Sequence, residues 1–270
     1  MRPKKSLGQN FLTSVAARQA IIRAANLTEA RPPCVLEIGP GKGFLTEALL
    51  KTGAKVVAVE KDDRLFEFLQ EKFSDAIKSG QLELIYGDIL QLTEDSLPCV
   101  YNLVANIPYY LTGQVIEKFL TARNQPKIMI LMLQKEVTER IVAKDGKESV
   151  LSISVKAYGK PKYIQTVKAG SFFPKPKVDS AILAIKNISR QNFLNLDAER
   201  PSEAETIFFK IVKKGFAHKR KLLRSNLGCS AETLEKGKIK ATARAEELTL
   251  NQWLYLSKNL SSPSSLVLTL

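Results

Sequence analysis

Nine consecutive residues restrict this chain most. Val35-Leu36-Glu37-Ile38-Gly39-Pro40-Gly41-Lys42-Gly43 runs from an apolar stretch into glycines at alternate positions, the pattern of a buried strand entering a tight turn and then a helix. Glycines in such a turn let a nucleotide-like ligand approach the backbone. Helix-like and strand-like patterns alternate around it. Residues 14 to 26, 43 to 52, 62 to 73 and about 111 to 122 read as helices. Cys34 to Ile38, Lys55 to Glu60, Leu82 to Tyr86, Tyr101 to Ala105 and Lys127 to Leu133 read as strands. That alternation argues for a parallel sheet with crossover helices. Tyr163 to Lys168 and Ser180 to Lys186 look like a late antiparallel pair, joined by the Pro-rich segment Ser171 to Lys177.

The expected organisation is an α/β catalytic domain over 1 to 188 and a small all-α domain over 189 to 270. Ser189 to Ser202, with Asn192, Asn195, Asp197 and Pro201, is the linker candidate. Helical patterns follow at 203 to 216, 231 to 236 and 244 to 257, and the Ser-rich tail from Ser261 is expected to fray.

Charge points to a polyanionic partner. The formal net charge is +14, and it is concentrated. From Arg140 to Arg190, eleven Lys/Arg face Asp145, Glu148 and Asp179, while Lys210, Lys213, Lys214, Lys219, Arg220, Lys221 and Arg224 face no acid within their own window. Self-repulsion of that kind costs stability unless a polyanion relieves it, which makes nucleic acid the leading partner. Ile207, Phe208, Ile211, Val212, Phe216, Leu222 and Leu223 are spaced so that 210 to 224 reads as one amphipathic helix with a core face and a basic face.

Other classes are disfavoured. The longest aliphatic run, Ile128 to Leu133, spans six residues, against the roughly 20 of a membrane helix. Arg2, Lys4 and Lys5 are not followed by an apolar leader core, so a cytoplasmic protein is expected. Cys34, Cys99 and Cys229 form no CxxC pair and His218 is the only histidine, which disfavours a metal site and a histidine-activated nucleophile. A monomer is expected.

The chemistry-bearing residues fall at strand ends. Glu60 closes the second strand, where a carboxylate can accept from both hydroxyls of a ribose; Asp88, in Tyr86-Gly87-Asp88, is suited to accept from an adenine amine. With Glu37 in front, the glycine turn reads ExGxGxG and resembles that of class I S-adenosylmethionine methyltransferases. Asn106-Ile107-Pro108-Tyr109 follows the Tyr101 to Ala105 strand. It is a variant of the (Asn/Asp/Ser)-Pro-Pro-(Tyr/Phe) pattern of enzymes that methylate exocyclic amines. The adenine N6 lone pair is delocalised into the ring; the Asn106 oxygen and a backbone carbonyl at Ile107 or Pro108 can accept its two N–H bonds and aim that lone pair at a sulfonium methyl. Tyr109 can stack on the base. In Phe172-Phe173-Pro174-Lys175-Pro176-Lys177-Val178-Asp179-Ser180, aromatics and lysines beside prolines suit an extruded base, with one of the two Phe serving as a hydrophobic plug.

Together with Leu7-Gly8-Gln9-Asn10-Phe11-Leu12 and Gly215-Phe216-Ala217-His218-Lys219-Arg220-Lys221, these motifs resemble the rRNA adenine N6,N6-dimethyltransferase family over residues 4 to about 258. Many relatives carry Leu where Ile107 stands, which leaves the backbone carbonyl unchanged. The resemblance implies a Rossmann-like class I methyltransferase sheet with a small all-α C-terminal domain. It also implies that Asn10, Leu12, Gly39, Glu60, Asp88 and Asn106 contact S-adenosyl-L-methionine, and that Asn106, Tyr109 and Phe172 or Phe173 address the adenine. The Leu7 to Leu12 start and the Phe172 to Ser180 loop look like the small-subunit enzymes, implying two neighbouring adenines near the 3′ end of 16S rRNA in a small-subunit precursor, each methylated twice. Lys175, Lys177, Lys213, Lys214, Lys219, Arg220, Lys221 and Arg224 are the expected RNA-binding cations. Three alternatives remain at this point. A large-subunit (23S) resistance methyltransferase shares the chemistry, and a non-enzymatic RNA-binding factor shares the fold. A nicotinamide oxidoreductase is disfavoured by Phe44 where a third fingerprint glycine would stand.

Overall fold

A computed structural model describes residues 2–4, 7–27, 33–93, 97–98, 100–144 and 146–260; Cys99 and the tail from Ser261 lie outside the described residues. The chain forms two compact units, Met1–Thr138 with Pro161–Ile188, and Glu139–Lys160 with Ser189–Leu270.

The first unit is built on a seven-stranded sheet. Its strands are β2 (Cys34–Ile38), β3 (Val56–Glu60), β4 (Leu82–Tyr86), β5 (Tyr101–Asn106), β6 (Met129–Gln134), β7 (Lys160–Val167) and β9 (Ser180–Lys186), in the order β4-β3-β2-β5-β6-β9-β7. The first five of that order run parallel, and β9 lies antiparallel to β6 with Leu131 opposite Leu183. Helices cover parallel strands on both faces, so these strands read as continuous apolar runs; β3 is buried at every position. Helix α1 (Val15–Ala24) starts at the Ser14 cap, α2 (Phe44–Lys51) leaves the glycine turn at Gly43, α3 (Asp63–Lys72) starts at the Asp62 cap, and α5 (Thr112–Thr121) follows a 3-10 turn at Tyr109–Leu111. Short α4 (Ser74–Lys78) and α6 (Lys135–Ile141) complete the connections. Ile21, Leu49, Leu69, Val104, Ile130 and Ile182 pack into one core, each burial worth roughly 1.5 to 3 kcal/mol.

The strand order reverses at β2: the chain passes first to β3 and β4 on one side, then crosses to β5 and β6 on the other. An open α/β sheet has its crevice at such a point, outside the carboxyl ends of the strands. A separate two-stranded ribbon pairs β1 (Phe11–Leu12) with β8 (Phe172–Phe173), Phe11 opposite Phe173 and Leu12 opposite Phe172.

The second unit is helical. It contains α7 (Val150–Tyr158), α8 (Gln191–Leu196), α9 (Pro201–Gly215), α10 (Leu223–Leu227), α11 (Ala231–Lys236) and α12 (Leu250–Asn259). Three expectations change here. Glu139–Lys160 was expected within the α/β domain but belongs to this unit, because Tyr158 packs on Phe193 at 5.2 Å and on Phe209 at 6.0 Å between ring centroids. Ser189 to Ser202 is not a linker: α8 lies in it and Phe193 is fully buried. The single amphipathic helix over 210 to 224 is two helices. Helix α9 stops at Gly215, where a Cβ would stand 2.3 Å from Trp253 Cη2, and Asn226 Nδ2 donates to the Gly215 and His218 carbonyls at 2.6 and 3.1 Å, holding the turn that separates it from α10.

Candidate active site

The carboxyl ends of β2, β3, β4 and β5 deliver Gly39, Glu60, Asp88 and Asn106 to one cleft of about 830 Å³, which Asn10, Ile107, Pro108, Tyr109 and Phe172 also line. A second cleft of about 980 Å³ holds Leu12, Glu37, Lys42 and Phe173. Phe11, Gly39, Gly41 and Asn106 border both. The structure therefore brings together every residue expected to contact the cofactor except Leu12, which faces the second cleft and is buried in the β1–β8 pairing. The two phenylalanines divide as expected into a plug and a free ring: Phe172 is 5% and Phe173 60% exposed.

The glycine turn is shaped by close approach. At Gly41 a Cβ would meet the Phe11 ring at 3.0 Å, and at Gly43 the Phe73 ring at 2.4 Å. At Gly39, by contrast, φ is +66° and a Cβ would meet nothing within 4 Å. That position opens the backbone to the clefts.

The Glu60 carboxylate is held by backbone. Its Oε2 accepts from Gly41 N–H at 3.1 Å, and its Oε1 from Lys61 and Asp62 N–H at 2.9 Å each. Burial pushes its pKa up against the pull of those N–H groups. A carboxylate has about four acceptor positions, so one remains on Oε2. Asp88 accepts from Leu90 N–H at 2.9 Å and from Lys61 Nζ at 2.8 Å. Burial works to raise it, but the Lys61 ammonium and the Leu90 N–H outweigh that and hold it below the usual carboxylate range. Glu37 has a different environment: it is 1% exposed and, among the described residues, its Oε2 has no hydrogen-bond partner.

Asn106 has a determined orientation. Its Nδ2 donates to the Asn10 carbonyl at 2.9 Å, and only the amide nitrogen can make that bond, so Oδ1 is left to accept. Tyr109 is fixed by a 3.0 Å bond between its hydroxyl and Ser180 Oγ. Sequence reasoning passed over Gln9, Lys61, Asp62 and Tyr110. Gln9 lies within a motif that was read and the other three adjoin one, but only the fold shows that Gln9 reaches Asp62 and that Lys61 reaches Asp88.

The family model for ribosomal RNA adenine dimethylase matches residues 1–262. A protein of Dehalococcoides mccartyi named ribosomal RNA small subunit methyltransferase A is 39% identical over 264 residues, covering 94% of this chain and 87% of that protein. One of the same name from Nostoc punctiforme is 38% identical, covering 98% and 97%. The chain belongs to the ribosomal RNA adenine dimethylase family. Among solved structures, a dimethyladenosine transferase from Plasmodium falciparum superposes with a TM-score of 0.74 at 26% identity, over 93% of this chain and 97% of that one. The 23S rRNA methyltransferase ErmE gives 0.72 at 25%, over 94% and 100%.

As a member of the rRNA adenine dimethylase family, the chain is an S-adenosylmethionine-dependent methyltransferase acting on ribosomal RNA, which sets aside the nicotinamide and non-enzymatic alternatives. The donor set fits that cofactor: open space at Gly39, an acceptor position left on Glu60, and the Asp88 carboxylate beyond it. Among the described residues, no helix is long and apolar enough to cross a membrane. The expected RNA-binding cations occupy both units. Lys175 and Lys177 are exposed on the loop after Phe173. Lys213, Lys219, Arg220, Lys221 and Arg224 are exposed and Lys214 half-buried around the end of α9, and among the described residues none of these six is ion-paired.

Proposed function

We propose that this protein dimethylates N6 of two adjacent adenines near the 3′ end of 16S rRNA within a small-subunit precursor, and so takes part in ribosome assembly. The observation that carries the chemistry is the Asn106 amide, whose nitrogen is committed to the Asn10 carbonyl so that its oxygen is free at the junction of two clefts. The names of the curated relatives support the small-subunit target.

In this reading Glu60 would accept from the ribose of S-adenosylmethionine and Asp88 from its adenine amine, with Asn10 and Gly39 lining the same cleft and Leu12 holding the β1–β8 ribbon beside it. Bound there, the cofactor supplies an electrophilic methyl group on a sulfonium. The protein's own part is orientation. Asn106 Oδ1 and a carbonyl at Ile107 or Pro108 accept the two N–H bonds of the target amine and turn its lone pair out of conjugation with the ring. Tyr109 lines the cleft beside Asn106 and stacks on the base with Phe172 packed behind it as the plug, while the exposed Phe173 ring and the lysines Lys175 and Lys177 meet the RNA. Neutral Asn106 takes no proton; the amine becomes cationic on methylation and releases its proton to water. The unit of residues 1–138 and 161–188 is catalytic, and the helical unit of 139–160 and 189–270, with Lys213, Lys214, Lys219, Arg220, Lys221 and Arg224, binds RNA. The protein works as a cytoplasmic monomer, with neither metal nor membrane.

The test is incubation with labelled S-adenosylmethionine and, separately, unmethylated small-subunit particles and naked large-subunit rRNA, followed by digestion to nucleosides. Dimethyladenosine from the small subunit alone is the expected result. Label in large-subunit RNA would replace the proposal with a resistance-type methyltransferase.

A further inference from the structure

The orientation of Asn106 is imposed from outside its own motif. The chain is tied down on both sides of Asn10. After Asn10, Phe11 and Leu12 pair with Phe172 and Phe173, and Thr13 N–H donates to the Ser171 carbonyl at 2.8 Å. Before Asn10, the tie is Gln9. Its Oε1 accepts from the Lys4 backbone N–H at 2.7 Å, and its Nε2 donates to Asp62 Oδ2 at 2.8 Å. Asp62 is a firm anchor: its side chain is fully buried, Arg64 holds both its oxygens at 3.1 and 2.8 Å, and Lys4 Nζ donates to Oδ1 at 3.0 Å. Those contacts, the Arg64 guanidinium foremost, hold its carboxyl well below the usual range. Between Gln9 and the motif, Gly8 lies against Pro108 and Tyr110, where a Cβ would stand 3.4 and 3.3 Å from them.

We propose that Gln9 is a positioning residue for methyl transfer: by bridging the Lys4 backbone and Asp62 it fixes the Asn10 carbonyl under the Asn106 amide and so keeps Asn106 Oδ1 turned to the substrate. The inference rests on the proposed role of Asn106 as acceptor for the target amine. A terminal amide has two orientations about its last torsion, which exchange the oxygen and the nitrogen. With the Asn10 carbonyl in place the nitrogen is claimed. Without it the nitrogen, a donor, can turn toward an amine that itself donates. Gln9 touches neither amine nor methyl, so its effect passes through Asn106.

Gln9→Leu keeps the length of the side chain and removes both bonds, while Asp62 still caps α3 and pairs with Arg64. In the full chain, we expect kcat to fall about tenfold with RNA affinity unchanged, and only a small drop in the unfolding midpoint because Arg64 and Lys4 still hold Asp62; misplacement of a reacting group by an ångström costs up to about a hundredfold. Under single-turnover conditions, Gln9→Leu should slow the Asn106→Ala chain no further. In parallel, the side-chain amide protons of Asn106, assigned by their loss in Asn106→Ala, should exchange with solvent faster in the Gln9→Leu chain. A tenfold loss that persists on the Asn106→Ala background, or unchanged amide exchange, overturns the proposal. An Asn106→Ala chain with full turnover would instead overturn the role assigned to Asn106.

Discussion

Glu37→Gln should flatten the pH dependence of stability, and the size of the effect follows from where the sheet puts this acid. Glu37 lies on β2, between β3 and β5, with 1% of its surface exposed and Oε2 unpartnered among the described residues. Burial is the main influence, Thr46 opposes it, and the charge of Glu60 adds to it; together they push the carboxyl from 4.5 to about 8. The folded chain then keeps a proton that the unfolded chain releases above 4.5. The unfolded state binds fewer protons, so stability from this group is full below pH 4.5 and is lost as pH rises to about 8. The slope is about 1.4 kcal/mol per pH unit, giving a total on the order of 5 kcal/mol across the window. The Gln amide does not titrate. It carries donors into a site with no partner for one of them, a roughly constant cost of about 1 to 3 kcal/mol, which offsets the curve without tilting it. Urea unfolding of both chains at half-unit steps from pH 5 to 8.5 should therefore give a stability difference that moves toward the variant by about 1.4 kcal/mol per unit. Parallel curves would show that Glu37 is already ionised in the folded chain at neutral pH and would refute the reasoning.

Tyr109 and Gly215 give two further tests. Stacking on an aromatic ring is worth about 1 to 3 kcal/mol per base, so Tyr109→Ala should lower kcat/KM for RNA roughly tenfold to a hundredfold. Tyr109→Phe, which gives up only the hydroxyl bond to Ser180, should stay within about threefold of the parent if stacking is what matters; equal losses in the two variants would assign the effect to the hydroxyl. Gly215→Ala places a methyl 2.3 Å from Trp253 Cη2 and 2.9 Å from Cζ3, against an indole that is fully buried. Overpacking of this kind costs about 1 to 3 kcal/mol, measurable as a lowered unfolding midpoint, and an unchanged midpoint would mean that α9 and α12 separate easily.

The fold was legible wherever burial on two faces forced a continuous apolar run. Cys34 to Ile38 and Ser180 to Lys186 stand where their composition places them, because a strand buried on both faces has little polar surface to blur the pattern. The errors came where local signals and tertiary packing disagree. Asn192, Asn195 and Pro201 read as linker, yet Phe193 between them is drawn into the aromatic cluster with Tyr158 and Phe208. The apolar spacing from Ile207 to Leu223 suits one helix, yet Gly215 gives way to Trp253, a residue 38 positions later, and no window spanning the helix contains it. The two-residue strands β1 and β8 are too short to carry any period.

The same division runs through the site. Glu60, Asp88 and Asn106 could be read because each ends a strand or follows it within two residues, and strand ends at a switch point share one crevice. What Asn106 presents to that crevice could not, since an asparagine is donor and acceptor at once and the sequence does not say which end is spent. The fold spends the nitrogen on Asn10, through a segment anchored to Asp62, a residue 53 positions from Gln9. The Asn-Ile-Pro-Tyr motif thus supplies an acceptor only in combination with the Leu7 to Leu12 segment. A chain that kept the tetrapeptide and lost that anchor would retain the residue but not its orientation, and its turnover should fall while its RNA affinity stays.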